Sequence, residues 1–170
     1  VSQFVKLPGK TVYYDAQGQM VYGERQINGH WYYFVSRSGQ MVVNQFVKLP
    51  GKTVYYDAQG QMVYGERQIN GHWYYFVPQS GQMVANQFVK LSGKTVYYNS
   101  QGQMVYGEQR IGGYWYYFIP RSGQMVTNQF FELPYGKTVY YDTQGRMAYG
   151  KQVIVGQTFY FDQISGELKK

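Results

Sequence analysis

A 42-residue period constrains this sequence before any single residue does. Gln3 to Val42 returns as Gln45 to Val84, with changes only where Ser36 and Arg37 become Pro78 and Gln79. A third copy starts at Gln87 and a fourth at Gln129, the last shifted by the extra Tyr135 and drifting beyond Gly150. Self-similarity at this spacing marks an array whose units bury their apolar faces against one another. The expected organisation is a single repeat domain, 1-170, made of units 1-42, 43-84, 85-126 and 127-170, the last a divergent cap. Val1-Ser2-Gln3-Phe4 is already in phase with Val43-Asn44-Gln45-Phe46, so the chain reads as a piece of a longer protein.

Each unit contains two related halves. Val12-Tyr13-Tyr14-Asp15 followed by Gln17-Gly18-Gln19-Met20-Val21 parallels Trp31-Tyr32-Tyr33-Phe34 followed by Ser38-Gly39-Gln40-Met41-Val42. Short aromatic and β-branched runs between glycine-containing turns signal strands and hairpins, and no segment has helical periodicity. Asn28-Gly29 and Asn70-Gly71 fit the two-residue turn that needs positive φ at both central residues. Pro8-Gly9, Pro50-Gly51 and Ser92-Gly93 hold the corresponding turn of the other half. The fold class is therefore all-β, a solenoid of tandem β-hairpins with about eight hairpins in four units. An aromatic share of 20% with no Cys agrees with an ordered β array and excludes disulfide and thiolate chemistry. No apolar run is long enough to span a bilayer as a helix, and no signal segment opens the chain.

Alternation places Trp31 and Tyr33 on one strand face and Tyr32 and Phe34 on the other. One face can pack the array while the other lines surface grooves. The methionines Met20, Met41, Met62, Met83, Met104, Met125 and Met147 share one phase after a glycine turn, with Leu168 in the eighth position. That recurrence reads as adaptable packing between hairpins.

Catalysis needs an asymmetric set of acid, base or nucleophile. Here each polar candidate recurs and then drifts. His30 and His72 become Tyr114 and Gln157; Asp15 and Asp57 become Asn99; Glu24, Glu66 and Glu108 become Lys151. No catalytic residue, metal site or cofactor is expected. The net charge of +7 is spread as a periodic stripe near the turns, at Lys6 and Lys10, Lys48 and Lys52, Lys90 and Lys94. Such a stripe suits either an anionic wall polymer or simple solubility better than it suits nucleic acid. The candidate ligand-binding residues are the recurring aromatics: Trp31, Trp73 and Trp115, with Tyr33, Tyr75 and Tyr117 two residues on. Tyr22, Tyr64 and Tyr106 join them from the neighbouring strand. Flat rings stack on the C–H face of a sugar or cage a quaternary ammonium, and several weak sites act together on a polymer.

Gly29-His30-Trp31-Tyr32-Tyr33-Phe34 with Ser38-Gly39-Gln40-Met41, alternating with Lys10-Thr11-Val12-Tyr13-Tyr14-Asp15 and Gln17-Gly18-Gln19-Met20-Val21-Tyr22-Gly23, resembles the cell-wall-binding and glucan-binding repeats of Gram-positive bacteria and their phages. That superfamily includes the choline-binding repeats, and the pattern is most similar to repeats of lactobacillus-type wall lysins. The resemblance implies a secreted, non-catalytic carbohydrate-binding module at the bacterial cell wall, or part of a phage lysin acting on it. Such a module would anchor an attached peptidoglycan hydrolase (endolysin or autolysin). The implied partner is a wall glycopolymer: teichoic acid, wall polysaccharide or α-glucan. No nucleic acid or membrane insertion is implied. An α-glucan-binding domain of a glucansucrase, or a repeat adhesin or spacer, are the alternatives. Choline-binding repeats usually carry a Gly-Trp pair at each hairpin start, whose Trp walls an ammonium cage. The matching positions here are Gly23-Glu24, Asn44-Gln45, Gly65-Glu66, Asn86-Gln87, Gly107-Glu108 and Asn128-Gln129. A saccharide held by Trp31-type rings and by Glu and Gln hydrogen bonds is the expected ligand. The fourth unit has Thr158 in the Trp phase, with Tyr160 in the Tyr33 phase, and is expected to lack a full site. Near-identical units also allow register exchange between copies, so oligomeric state is open.

Overall fold

Pro-Gly and Asn-Gly pairs every 20 or 22 residues leave room for nothing longer than five-residue strands, and hairpins are what form. The structure, a computed structural model, describes residues 1–169. Its strands pair two by two, each with one antiparallel partner. Contacts divide the chain into two compact units, Val1–Val84 and Ala85–Lys170, at the boundary between the second and third 42-residue repeats. The first unit holds β1 (Gln3–Leu7) with β2 (Lys10–Tyr14), β3 (Gly23–Ile27) with β4 (His30–Phe34), β5 (Gln45–Leu49) with β6 (Lys52–Tyr56), and β7 (Gly65–Ile69) with β8 (His72–Phe76). The second holds β9 (Gln87–Leu91) with β10 (Lys94–Tyr98), β11 (Gly107–Ile111) with β12 (Tyr114–Phe118), β13 (Gln129–Glu132) with β14 (Thr138–Tyr141), and β15 (Gly150–Ile154) with β16 (Gln157–Phe161).

The two turn chemistries separate as their residues require. Asn28 and Gly29 have φ of 49° and 85°, positive at both centres as in a type I′ turn, whereas in Pro8-Gly9 only the glycine is positive, at 77°. The halves differ in length, since the turn glycines Gly9, Gly29 and Gly51 lie 20 and 22 residues apart. Part of the difference is an extra residue before β5, where Asn44 takes the left-handed conformation that Gly23 holds as the first residue of β3, with φ of 48° against 71°. Asn tolerates this region far better than a β-branched residue does. The Asn44 N–H donates to the Asp57 carbonyl at 3.0 Å, tying the start of this hairpin to its end.

Within each unit, successive hairpins are joined by one repeated backbone hydrogen bond. The Met41 N–H donates to the Thr11 carbonyl at 2.7 Å, Met62 to Trp31 at 2.8 Å and Met83 to Thr53 at 2.7 Å. In the second unit Met125 donates to Thr95, Met147 to Trp115 and Leu168 to Thr138, each at 2.8 Å. The methionine side chain then lies under the turn glycine of the next hairpin. A Cβ at Gly60 would meet Met41 Sδ at 2.8 Å, and one at Gly81 would overlap Met62 Sδ. This explains the common phase of Met and Gly.

The core is distributed along the array. Tyr32 and Phe34 are buried, as alternation requires, and pack with Phe4 and Tyr13 of the preceding hairpin, ring centroids 4.8 to 6.5 Å apart. Phe46, Tyr55, Tyr74 and Phe76 repeat this cluster, and Phe88, Tyr97, Tyr116 and Phe118 build it in the second unit. The intervening junction is filled differently, by Val42, Val54, Tyr56 and Met62.

The drifting carboxylates have a structural role. Asp15 Oδ1 accepts the N–H groups of Gln17 and Gln19 at 3.0 and 2.8 Å, and Asp57 and Asp142 do the same in their own turns. Asn99 Oδ1 makes the same pair at 3.0 and 2.9 Å. Only an acceptor oxygen is required, so Asp and Asn interchange. Three lysines of the stripe are likewise latches: the Lys10, Lys52 and Lys94 ammonium groups donate to the carbonyls of Ser38, Ser80 and Ser122 in the next turn. Lys6, Lys48 and Lys90 are exposed and remain the solvent-facing part of it. His30 and His72 are exposed at strand starts beside the turn.

Candidate functional site: repeated tryptophan grooves

The groove of the first unit is built from three consecutive hairpins. Glu24 on β3 and Trp31 on β4 form one wall, Lys52, Met62 and Tyr64 of the next hairpin the other, and Gln79 and Ser80 close one end, around about 130 Å³. The β3–β4 register pairs Glu24 with Tyr33 and Gln26 with Trp31, which puts Glu24 and Trp31 on one face. Trp31 keeps 37% of its surface exposed, enough to offer a ring face. Lys52 Nζ lies 3.2 Å from Glu24 Oε1, and the Tyr56 hydroxyl donates to the same oxygen at 3.3 Å. Burial first, and then the Glu24 charge, push the Tyr56 and Tyr64 hydroxyls up, so both are neutral donors.

The second unit repeats the arrangement around Trp115, with Glu108, Tyr135, Lys137, Met147, Tyr149, Ile164 and Ser165 enclosing about 200 Å³. One inserted residue changes its polar wiring. Where β5 and β6 are joined by two residues, β13 and β14 are joined by Leu133 to Lys137, and Tyr135 stands 62% exposed over the groove. Its hydroxyl donates to Glu108 Oε2 at 2.6 Å, and Lys137 Nζ sits 5.6 Å from the Tyr135 ring centroid. Partial burial and then the Glu108 hydrogen bond push the Tyr135 hydroxyl up to about 12. Tyr141, the counterpart of Tyr56, is fully buried with no partner for its hydroxyl. A buried donor left unsatisfied costs about 1–3 kcal/mol, which this junction bears and the Tyr56 junction does not.

Of the residues expected to bind ligand, the structure brings Trp31 together with Tyr64, and Trp115 together with Tyr149. The tyrosine partner thus comes from the following hairpin. Tyr33 shares the Trp31 face but packs on Tyr56, centroids 6.2 Å apart, behind the groove wall. Tyr117 is 4% exposed and packs on Phe131 at 4.5 Å, which leaves no face for a ligand. Tyr22 is exposed. Trp73 and Tyr75 are half-buried on β8, and Tyr106 is half-buried ahead of β11. Thr158 and Tyr160 on β16 are both exposed. Met62 and Met147 do more than pack, since each also lines its groove.

The polar wall was only partly foreseen. The positions where a choline-binding pattern places Trp, Glu24 and Glu108, line the grooves, and their recurrence seven residues before each Trp was the available signal. Lys52 and Tyr135 act from a neighbouring hairpin, which sequence spacing alone does not bring near.

Trp and Tyr faces with a methionine floor and an ion pair at the rim suit stacking plus hydrogen bonding. Among the described residues no group of His, Cys, Asp and Glu could hold a metal. The fold is shared with choline-binding protein F from Streptococcus pneumoniae, at TM-score 0.83 and 27% identity over 98% of this chain and 57% of that one. The same protein in the presence of a tetrasaccharide-pentapeptide peptidoglycan analogue gives 0.84 and 27%, over 100% and 58%. The modular Cpl-1 endolysin complexed with a peptidoglycan analogue matches at TM-score 0.54 and 26% identity, over 74% of this chain and 37% of its own. The chain therefore spans a little over half the length of choline-binding protein F. A search of curated proteins found no match. The family model of the choline-binding repeat matches four times in tandem, at residues 1–46, 47–88, 89–130 and 135–170. With nearly every residue inside a match, the chain belongs to the choline-binding repeat family.

Proposed function

We propose that this chain is a non-catalytic cell-wall-binding module that holds a wall glycopolymer in its Trp grooves and anchors an attached peptidoglycan hydrolase at the bacterial surface. The observation that carries the reading is the recurrence of one groove in both units: Glu24, Trp31, Lys52, Met62 and Tyr64, and again Glu108, Trp115, Lys137, Met147 and Tyr149. The peptidoglycan analogues present with choline-binding protein F and with the endolysin support a wall ligand. A carboxylate–lysine pair where an ammonium cage would present a third aromatic wall favours a saccharide. Rings take the apolar sugar face while Glu24, Lys52 and the Tyr64 hydroxyl are placed for its hydroxyls.

The test is retention of the fluorescently labelled chain on purified Gram-positive walls, before and after teichoic acids and wall polysaccharides are stripped, with α-glucan and choline-agarose alongside. Binding lost on stripping and reduced by Trp31→Ala with Trp115→Ala is the expected result. Retention on α-glucan alone would transfer the module to a glucansucrase. Binding to none of these supports would leave an adhesin or spacer.

A further inference from the structure

We infer that the Trp115 groove prefers an anionic saccharide, one bearing a phosphate or carboxylate, and that the inserted Tyr135 creates this preference by freeing Lys137. The inference rests on the saccharide reading of the grooves and adds a difference between them. In the first unit the lysine is paired twice: Lys52 Nζ contacts Glu24 Oε1 at 3.2 Å and the Ser80 carbonyl at 3.5 Å. A ligand anion there would have to displace both. In the second unit Tyr135 takes Glu108 at 2.6 Å, and Lys137 makes neither contact; its ammonium lies against the Tyr135 ring, 5.6 Å from the centroid. Lys137 thus lines an aromatic groove with its three N–H donors uncommitted. A ring stacked between Trp115 and Tyr149 would place a charged substituent within reach of those donors, and charge-assisted hydrogen bonds to phosphate or carboxylate are the strong kind. The Tyr135 hydroxyl meanwhile donates to Glu108 Oε2, the place that Lys52 takes at Glu24 in the first unit. The larger volume, about 200 Å³ against about 130 Å³, gives room for the substituent.

The chain has three Trp, so single-Trp variants read each groove separately by fluorescence. Trp31→Phe with Trp73→Phe leaves Trp115; Trp73→Phe with Trp115→Phe leaves Trp31. Each is titrated with methyl glucoside, glucose 6-phosphate and glucuronate. The expected result is binding of glucose 6-phosphate about threefold to fivefold tighter than methyl glucoside at Trp115 only, the scale of a partly exposed ion pair, fading as salt is raised. Glucuronate matching glucose 6-phosphate would assign the preference to charge, and glucose 6-phosphate alone would narrow it to phosphate. Deleting Tyr135 should abolish the preference by restoring the Lys52-type pairing. Lys137→Gln, a milder change, should abolish it without altering the turn. Binding at Trp115 without discrimination, or discrimination that survives Lys137→Gln, would overturn the inference and leave the saccharide reading intact. No response to any of the three sugars in either groove would overturn the saccharide reading itself.

Discussion

Two kinds of junction alternate along each unit, and they share a backbone but not a purpose. Where β2 meets the next hairpin, the Thr11 carbonyl accepts the Met41 N–H at 2.7 Å and four rings, Phe4, Tyr13, Tyr32 and Phe34, fill the space. Where β4 meets the next hairpin, the Trp31 carbonyl accepts the Met62 N–H at 2.8 Å, but the packing is Val42, Val54, Tyr56 and Met62 and a groove stays open. The same stitch therefore supports one joint sealed by rings on one side and open beside Lys6, Thr11 and Met41 with no aromatic wall, and another open at a Trp-walled groove. What decides is the side chain at a single phase, Thr11 or Trp31, together with the pair opposite. The four-ring joints hold the most buried aromatic surface, and the others carry the grooves proposed to bind ligand.

The largest effect should come from removing a ring at a sealed joint. Phe34→Ala is expected to cost about 3–5 kcal/mol, read by urea or thermal unfolding. Trp31→Ala should cost about 1–2 kcal/mol by the same measurement, because 37% of its surface is already exposed. Equal losses would erase the distinction between the joints. Next in size is Gly81→Val, which sets a β-branched residue at φ of 67° and drives its Cβ into Met62; a loss of about 2–3 kcal/mol in unfolding free energy is expected. Trp31→Ala, the milder change in unfolding, should weaken wall retention about tenfold, the scale of an aromatic anchor at a binding surface. Lys10→Met removes the ammonium bond to the Ser38 carbonyl at 2.8 Å and should lower stability by about 1 kcal/mol. The smallest effect belongs to Asp57→Asn, expected within about 0.5 kcal/mol of the parent, since Asn99 already does this work in the next repeat. A larger change would mean that the second carboxylate oxygen matters.

Much of this architecture was legible in the residues. Asn28-Gly29 and Pro8-Gly9 set the hairpin ends because few backbones accommodate them, and period-two alternation separated Tyr32 and Phe34 from Trp31. The partner of each Trp was less accessible. Alternation says that Tyr33 shares a face with Trp31, yet it is silent on which hairpin covers that face; the stacking lays Tyr56 over Tyr33 and brings Tyr64 to Trp31 instead. The left-handed Asn44 is not legible in the sequence, because Asn-Gln at a hairpin start looks like a pair without its Trp and does not announce a backbone requirement. Lysines at a regular phase suggested a charged stripe, while the hydrogen bonds show half of them reaching the next turn. Tyr135 was visible as an extra residue, but its effect on Lys137 depends on a contact with Glu108, 27 residues earlier.

The unequal halves have a mechanical consequence. If the chain anchors an enzyme to a wall as proposed, it is loaded along its length, and an array of nearest-neighbour joints yields one hairpin at a time. Because the turn glycines of the first unit are spaced 20 and 22 residues apart, each rupture there would release either of two lengths, about 70 and 77 Å of extended chain. The four-ring joints should hold at forces that the others do not, so under tension the Trp-walled grooves would be the first parts of each unit to part.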